Sequence, residues 1–211
     1  MSVVLLTKRD EWSTRAAQIA KLAFPDLLWI AGERDEPMPM FTPPDILLSF
    51  LSPRIVPASV LERTKTAINF HPGSANYPGI GCYNFALYEG VQWYGCVAHF
   101  MEPNVDTGMI VDEMNFQILP GESVESLKMR TMIHMTSLFA AFAETLPAGL
   151  EVEGNGTEWP RKPFTRADLE ELATITPDMD AKEIARRVRA TTYQNFRPRV
   201  ILGGHTFECV S

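Results

Sequence analysis

No stretch of the chain is apolar for long enough to cross a bilayer. Spanning takes roughly 18–20 consecutive apolar residues, and runs such as VVLLT (3–7) stop far short. The opening MSVVLLTKRDEW lacks the pattern of a signal peptide. Cysteine is scarce. Cys82, Cys96 and Cys209 are an odd number without CxxC spacing, which points to neither a disulfide framework nor a metal site. Positive charge is in deficit, with 19 basic against 26 acidic residues and a net charge of −7. A surface built to coat nucleic acid needs the opposite balance. Also missing are a GxxxxGKS/T phosphate loop and a GxGxxG turn after the first apolar run. What remains is a 211-residue chain, 45% hydrophobic. That suffices for one ordinary domain, or one with a small appendage, expected in the cytoplasm with neither membrane nor nucleic acid as partner.

In the first half, short apolar runs alternate with helical or irregular stretches, the pattern of an α/β fold with a largely parallel sheet. VVLLT (3–7), DLLWIAG (26–32), DILLSFL (45–51) and TAINF (66–70) are expected strands. Between the first two, Trp12, Ala16, Ile19, Ala20 and Ala23 recur at helical spacing, with Asp10 as N-cap and Pro25 as stop. Between the second and third, PMPMFTPPD holds four prolines in nine residues, so loop replaces the usual crossover helix. CYNFALYEG fits a short helix closed by Gly90, and WYGCVAHFM and MIVDEMNFQIL fit strands around a PNVDTG turn. Residues 123–146 form the longest helix, with Val124, Leu127, Met135, Leu138, Phe142 and Leu146 in one stripe and Ser123 as N-cap. From about 150 the composition changes: EVEGNGTEWPRKP is irregular, two short helices follow, and RVILGGHTFECV reads as a hairpin. The expected organisation is a domain at 1–150 and a small subdomain at 151–211.

Asn69 and His71, two apart on a strand, share one face at its C-terminal end, where open α/β sheets keep their ligand crevice. An amide beside an imidazole suits acyl transfer, since one steadies a developing oxyanion while the other handles a proton. The same pair also reads as a polar strand end. Asp106, in NVDTGM, is positioned to return to that mouth. Its Asp-Thr-Gly triplet matches the aspartic-protease signature, but it occurs once, in a chain that reads as α/β. His99, His134 and His205 are scattered and read as core or surface histidines. Arg186, Arg187, Arg189, Arg197 and Arg199 read as a solvated helix face, with an anion-binding patch as the alternative. Trp93, Trp159 and Tyr83 read as packing rather than stacking platforms.

Together, INFHPGSANYPGIG and VQWYGCVAHFMEPNVDTGMIV resemble the 10-formyltetrahydrofolate-dependent formyltransferases, over roughly residues 45–145. The resemblance implies a Rossmann-like formyltransferase core with a mostly parallel sheet, extended here by a small C-terminal α+β part, and a catalytic trio of Asn69, His71 and Asp106. It implies 10-formyltetrahydrofolate as co-substrate, held by Phe50, Leu51, Ser52, Pro53, Arg54 and Ile55 on one side and by Glu102 and Val105 on the other. NFHPGSANYPGIGCYNFALYEG and EWPRKPFTRADLEEL are similar to the sugar N-formyltransferases. That branch implies a nucleotide-linked amino sugar as acceptor, contacted by Tyr77, Gly79, Tyr83, Arg161 and Lys162, and a homodimer. The alternatives are another small amine, such as an amino acid or antibiotic precursor, or a catalytically silent folate-binding relative. Sister branches fit less well. The first strand leads into no glycine-rich phosphate loop, and the length leaves no room for an RNA-binding or regulatory domain.

Overall fold

A computed structural model describes residues 1–148 and 152–210. Six strands form the main sheet: β1 (Val3–Thr7), β2 (Leu28–Ala31), β3 (Ile46–Phe50), β4 (Thr66–His71), β5 (Trp93–Phe100) and β6 (Ile110–Gln117), in the order β2-β1-β3-β4-β5-β6. The first four run parallel, and β5 and β6 are antiparallel to their neighbours.

The inner parallel strands β1, β3 and β4 are largely buried on both faces, so they appear in the sequence as apolar runs rather than alternating ones, while β2 at the edge is partly exposed. Alternation of side chains still sorts them. Val3, Leu5, Ile46, Leu48, Phe50, Ile68 and Phe70 point to one face and meet helices α1 (Glu11–Ala23) and α4 (Val124–Thr145) in the principal core. Val4, Leu6, Leu47 and Ala67 point to the other. On that second face Val60 and Leu61, from the single-turn helix α2 (Ala58–Leu61) in the β3–β4 crossover, pack together with Met38 and Phe41 from the proline-rich loop. That face therefore stays thinly covered beyond the loop, where Asn69 and His71 emerge.

Both expected caps form. Asp10 accepts the Ser13 N–H at 2.8 Å, and Ser123 makes a reciprocal capping box with Ser126. Helix α3 (Cys82–Glu89) ends at Gly90, in the left-handed conformation that favours glycine. Two small elements lie outside the expected set, α2 (Ala58–Leu61) and β7 (Thr174–Ile175). The remainder comprises α5 (Arg166–Leu172), α6 (Ala181–Thr191) and the hairpin β8 (Arg199–Leu202) and β9 (His205–Glu208), which pairs with β7 in a second sheet. The expected boundary at 150/151 touches residues outside the described ones. Among the described residues no helix is long and apolar enough to cross a membrane.

Three of the five C-terminal arginines correct the expectation of a solvated face or anion patch, while Arg186 stays exposed. Arg187 donates through Nη1 to the carbonyls of Glu171, Leu172 and Thr174 at 2.8–3.2 Å, closing the end of α5. Arg189 ties α6 to the Glu122 carbonyl, and Arg199 pairs with Glu170 at 2.8 Å. Arg187 and Arg189 are spent on backbone carbonyls, and Arg199 on a carboxylate. Arg187→Ala is expected to cost about 2 kcal/mol, by loss of charged hydrogen bonds to three carbonyls at the end of α5 and the start of β7. Urea unfolding checks it, and a midpoint equal to the parent's would contradict it.

Candidate active site

Strand register builds the site. Ser49, Asn69 and His99 are direct partners across β3, β4 and β5. Cross-strand neighbours on one face lie roughly 5 Å apart, so Asn69 Nδ2 reaches to within 3.1 Å of His99 Nε2. His99 Nδ1–H donates to the Phe100 carbonyl at 2.7 Å. In the neutral ring this leaves Nε2 free to accept the Asn69 amide.

Asp106 enters from the turn after β5. Its Oδ2 lies 3.1 Å from His71 Nδ1 and accepts the Gly79 N–H at 2.8 Å, while Oδ1 lies 3.3 Å from His99 Nε2. All three side chains are almost fully buried. The Asp-Thr-Gly triplet has a local reason. Asp106 sits at φ +49°, a region aspartate tolerates better than most residues. Thr107 Oγ1 ties back to the Asn104 carbonyl at 3.0 Å. Gly108 lies so close to the Phe100 carbonyl that a Cβ would collide. These contacts make the triplet a shaped turn.

Burial pushes the Asp106 carboxyl up, but the His71 charge, His99 and the Gly79 N–H outweigh it and hold the group at about 2. His71 Nε2–H donates to the Tyr77 carbonyl at 2.8 Å. Both its nitrogens thus face acceptors, the Asp106 carboxylate at Nδ1 and the Tyr77 carbonyl at Nε2. Trp159 covers both rings edge-on, with centroids 6.0 Å from His71 and 5.2 Å from His99, and its indole N–H donates to the Gly108 carbonyl at 2.7 Å.

Asn69, His99 and Asp106 form one wall of a cavity of about 90 Å³, and Ser49, Ser52, Arg54, Ile55, Glu102 and Val105 are among the others. A space this small takes one end of a ligand rather than a whole one. Arg54 is the unusual member. It is 9% exposed and gives Nη1 to the Pro37 carbonyl at 3.2 Å, while its Nε and Nη2 have no partner among the described residues. A buried cation with idle donors is costly. The two donors suit a ligand bearing acceptor atoms, so the residues present fit a folate end. Gly32 makes room for the guanidinium, since a Cβ there would strike it.

Of the residues expected around the folate, Ser52, Arg54, Ile55, Glu102 and Val105 line the cavity, and Pro53 is half-buried beside them. Phe50 does not line it. Its ring lies on the opposite face, 5.3 Å from Phe139, because adjacent strand residues point opposite ways. Leu51 also packs against the core. Among the expected acceptor contacts, Tyr77 is buried in the second core cluster and hydrogen-bonds Glu89 at 2.7 Å. Tyr83 packs on Tyr94, with centroids 5.9 Å apart. Gly79 gives its N–H to Asp106 and stands too close to Phe164 for any side chain. These three hold the site together from behind. Arg161 and Lys162 line a groove of about 740 Å³ that shares Asp106 with the cavity, and Arg161 is paired with Glu89 at 2.7 Å.

Two members escaped the sequence reading, His99 and Trp159. The signal for His99 lay in the hairpin: a histidine on a strand antiparallel to the one carrying Asn69 shares its face when the two are register partners. Trp159 left no such trace.

Residues 42–140 match the family described as formyl transferase. The match spans Asn69, His71, His99 and Asp106. Over 91 residues the chain is 35% identical to the trifunctional purine biosynthetic protein adenosine-3 of Drosophila melanogaster, covering 43% of this chain and 6% of that protein. Over 65 residues it is 34% identical to the phosphoribosylglycinamide formyltransferase of Haemophilus influenzae, covering 30% and 31%. The aligned parts are thus less than a third of either curated relative. Whole-chain likeness is to solved structures. A sugar N-formyltransferase from a Shewanella species superposes with TM-score 0.79 at 14% identity, covering 99% and 96% of the two chains. The N-formyltransferase of Helicobacter canadensis, solved with folinic acid and dTDP-3-aminofucose, gives 0.74 at 14%, covering 97% and 85%. At such identities the likeness is one of fold: the formyltransferase Rossmann-like core with its mostly parallel sheet, and a C-terminal part.

Proposed function

We propose that the protein transfers a formyl group from 10-formyltetrahydrofolate to the primary amine of a nucleotide-linked amino sugar. The observation that carries this is Asp106 held between two imidazoles, beside the Asn69 amide, at the wall of a cavity with an unfilled guanidinium. When bound, the folate would supply an activated formyl carbon. The Asn69 Nδ2 hydrogen not directed at His99 points a donor at an oxygen placed there, a contribution of about 10²–10³ in rate for such donors. His99 Nε2, which accepts from Asn69 in the neutral ring, would take the proton of the amine as it bonds to the formyl carbon and give it to the folate nitrogen as that nitrogen's bond to the carbon breaks. Asp106 orients both rings and offsets the positive charge that develops on them. The sequence reading gave the proton to His71. The geometry supports a share for His99, since His99 lines the cavity and His71 Nε2 is tied to Tyr77.

Sugar-linked acceptors are supported by the fold neighbours and by the groove, carrying Arg161 and Lys162, that shares Asp106. A formylation assay over TDP-, GDP- and UDP-linked amino sugars tests the reading, and formylation of none of them, with folate still bound, would sink it. The H. influenzae relative favours a second acceptor, phosphoribosylglycinamide. That reading needs a phosphate seat at the turn after β1, yet Asp10 already occupies the N-terminus of α1 and pairs with Lys8 at 2.9 Å. The carboxylate would repel a phosphate. The homodimer is part of the same proposal. Strand β9 is exposed along its length and offers Phe207 at the sheet edge, and sedimentation at rising concentration tests self-association through it.

Gly32→Ala is expected to displace Arg54 and weaken 5-formyltetrahydrofolate binding about tenfold or more, the loss of one charged hydrogen bond. Fluorescence titration checks this. Unchanged affinity would separate Arg54 from the folate site.

A further inference from the structure

Val97, Gly95 and Trp93 follow His99 along β5 at alternate positions, so they share the face that carries Asn69 and His71. The six residue steps from His99 to Trp93 span about 20 Å of strand. On β6, Glu113 is the register partner of Val97 and Asn115 that of Gly95. A groove of about 620 Å³ lies at this far end, lined by Ser74, Asn76, Trp93, Glu113, Asn115 and Glu158 among others. It shares Thr157, Glu158 and Pro160 with the groove that holds Arg161 and Lys162. The two grooves therefore adjoin at Thr157, Glu158 and Pro160, one carrying Asp106 and the two cations and the other carrying Trp93.

Two observations mark this end as a ligand seat. Ser74 is 6% exposed, and its hydroxyl has no partner among the described residues. Buried hydroxyls are normally paired, and an idle one calls for a group to complete it. Trp93 is 62% exposed and makes no ring contact among the described residues, which is unusual for so large an apolar surface. No lysine or arginine lines the groove, so phosphate does not belong there. Carboxylates, amides, a hydroxyl and a bare indole together suit a neutral flat ring. Such a ring presents N–H donors and acceptors at its edge and a π-face to stack.

We propose that this groove seats the nucleobase of the acceptor, stacked on Trp93 with its edge read by Ser74, Asn76 and Glu113. The adjacency of the two grooves carries the assignment. The amine belongs at Asp106, the diphosphate at Lys162 and Arg161, and what lies beyond a diphosphate in a nucleotide-linked sugar is the nucleoside. The inference deepens the proposed acceptor and rests on it for the claim that base and amine belong to one molecule. Binding energy gathered so far from the reacting atoms can orient the amine.

The test uses calorimetric titration of the full chain, as wild type, Trp93→Ala and Ser74→Ala, with TDP, UDP, GDP, free glucosamine and 5-formyltetrahydrofolate. Trp93→Ala is expected to weaken at least one nucleoside diphosphate about 5- to 100-fold and leave the folate unchanged. Ser74→Ala is expected to weaken the same nucleotide several-fold without lowering thermal stability, a result that a merely structural serine would not give. Equal nucleotide affinity in wild type and Trp93→Ala overturns the proposal. Weakened glucosamine with unchanged nucleotides also overturns it, by assigning the groove to a sugar ring. Weakened nucleotide binding in a protein that formylates no amino sugar leaves the seat standing and removes the formyl-transfer reading instead.

Discussion

Asp106→Asn is expected to lower formyl transfer by about 10²–10⁴, because the amide cannot offset charge on His71 and His99 and presents a donor to one of them. Asparagine also tolerates the left-handed backbone at this position, so the turn should survive and the loss should be chemical. Stability should fall as well, with a definite pH dependence. The folded carboxyl lies at about 2 against an ordinary 3.8. A depressed carboxylate stabilises the fold above its unfolded value, and that contribution is lost as pH drops through the folded value. The shift corresponds to about 2 kcal/mol. The variant should therefore unfold at lower urea than wild type at pH 7, with the gap closing between about pH 4 and pH 2. A gap of constant size across that window would mean that the folded carboxyl is not depressed.

His99→Ala is expected to cost about 10²–10⁴ in turnover, no less than His71→Ala. His99 touches the cavity, the Asn69 amide and Asp106 at once, so its loss removes an acceptor and leaves Asp106 with one imidazole. The readout is kcat at saturating donor and acceptor, alongside folate affinity for each variant. Near-normal turnover of His99→Ala beside a dead His71→Ala would return the proton transfer to His71 alone. His99→Gln sharpens the comparison. Glutamine preserves bulk and one hydrogen bond but carries no proton between partners, so it should be as slow as alanine if proton transfer is the role.

Most of the sheet and helices was legible because burial on both faces writes a strand as an unbroken apolar run. The prolines at 37, 39, 43 and 44 likewise announced the missing crossover helix. Elements of two and four residues, β7 and α2, are too short to show a period. Asn69, His71 and Asp106 were visible because each sits in a compact motif. His99 was not, since its link to Asn69 spans 30 residues and exists only through strand register. Phe50 was misassigned by parity alone, one position from a residue of the correct face. The C-terminal arginines showed their charge in the sequence, but the carbonyls that use it are set by how α5, α6 and the Glu122 turn meet.

One structural tie bears on how activity arises during folding. The lid over both imidazoles, Trp159, reaches Gly108 across 51 residues, and next to it Phe164 exchanges backbone hydrogen bonds with Pro78 and Ile80 at 2.9 Å. These are late-closing, high-separation contacts compared with the strand pairs beneath them. After dilution from denaturant, secondary structure should return first and catalytic competence second. Trp159, edge-on to two histidines only when the strap is seated, is a built-in chromophore for the interval between the two.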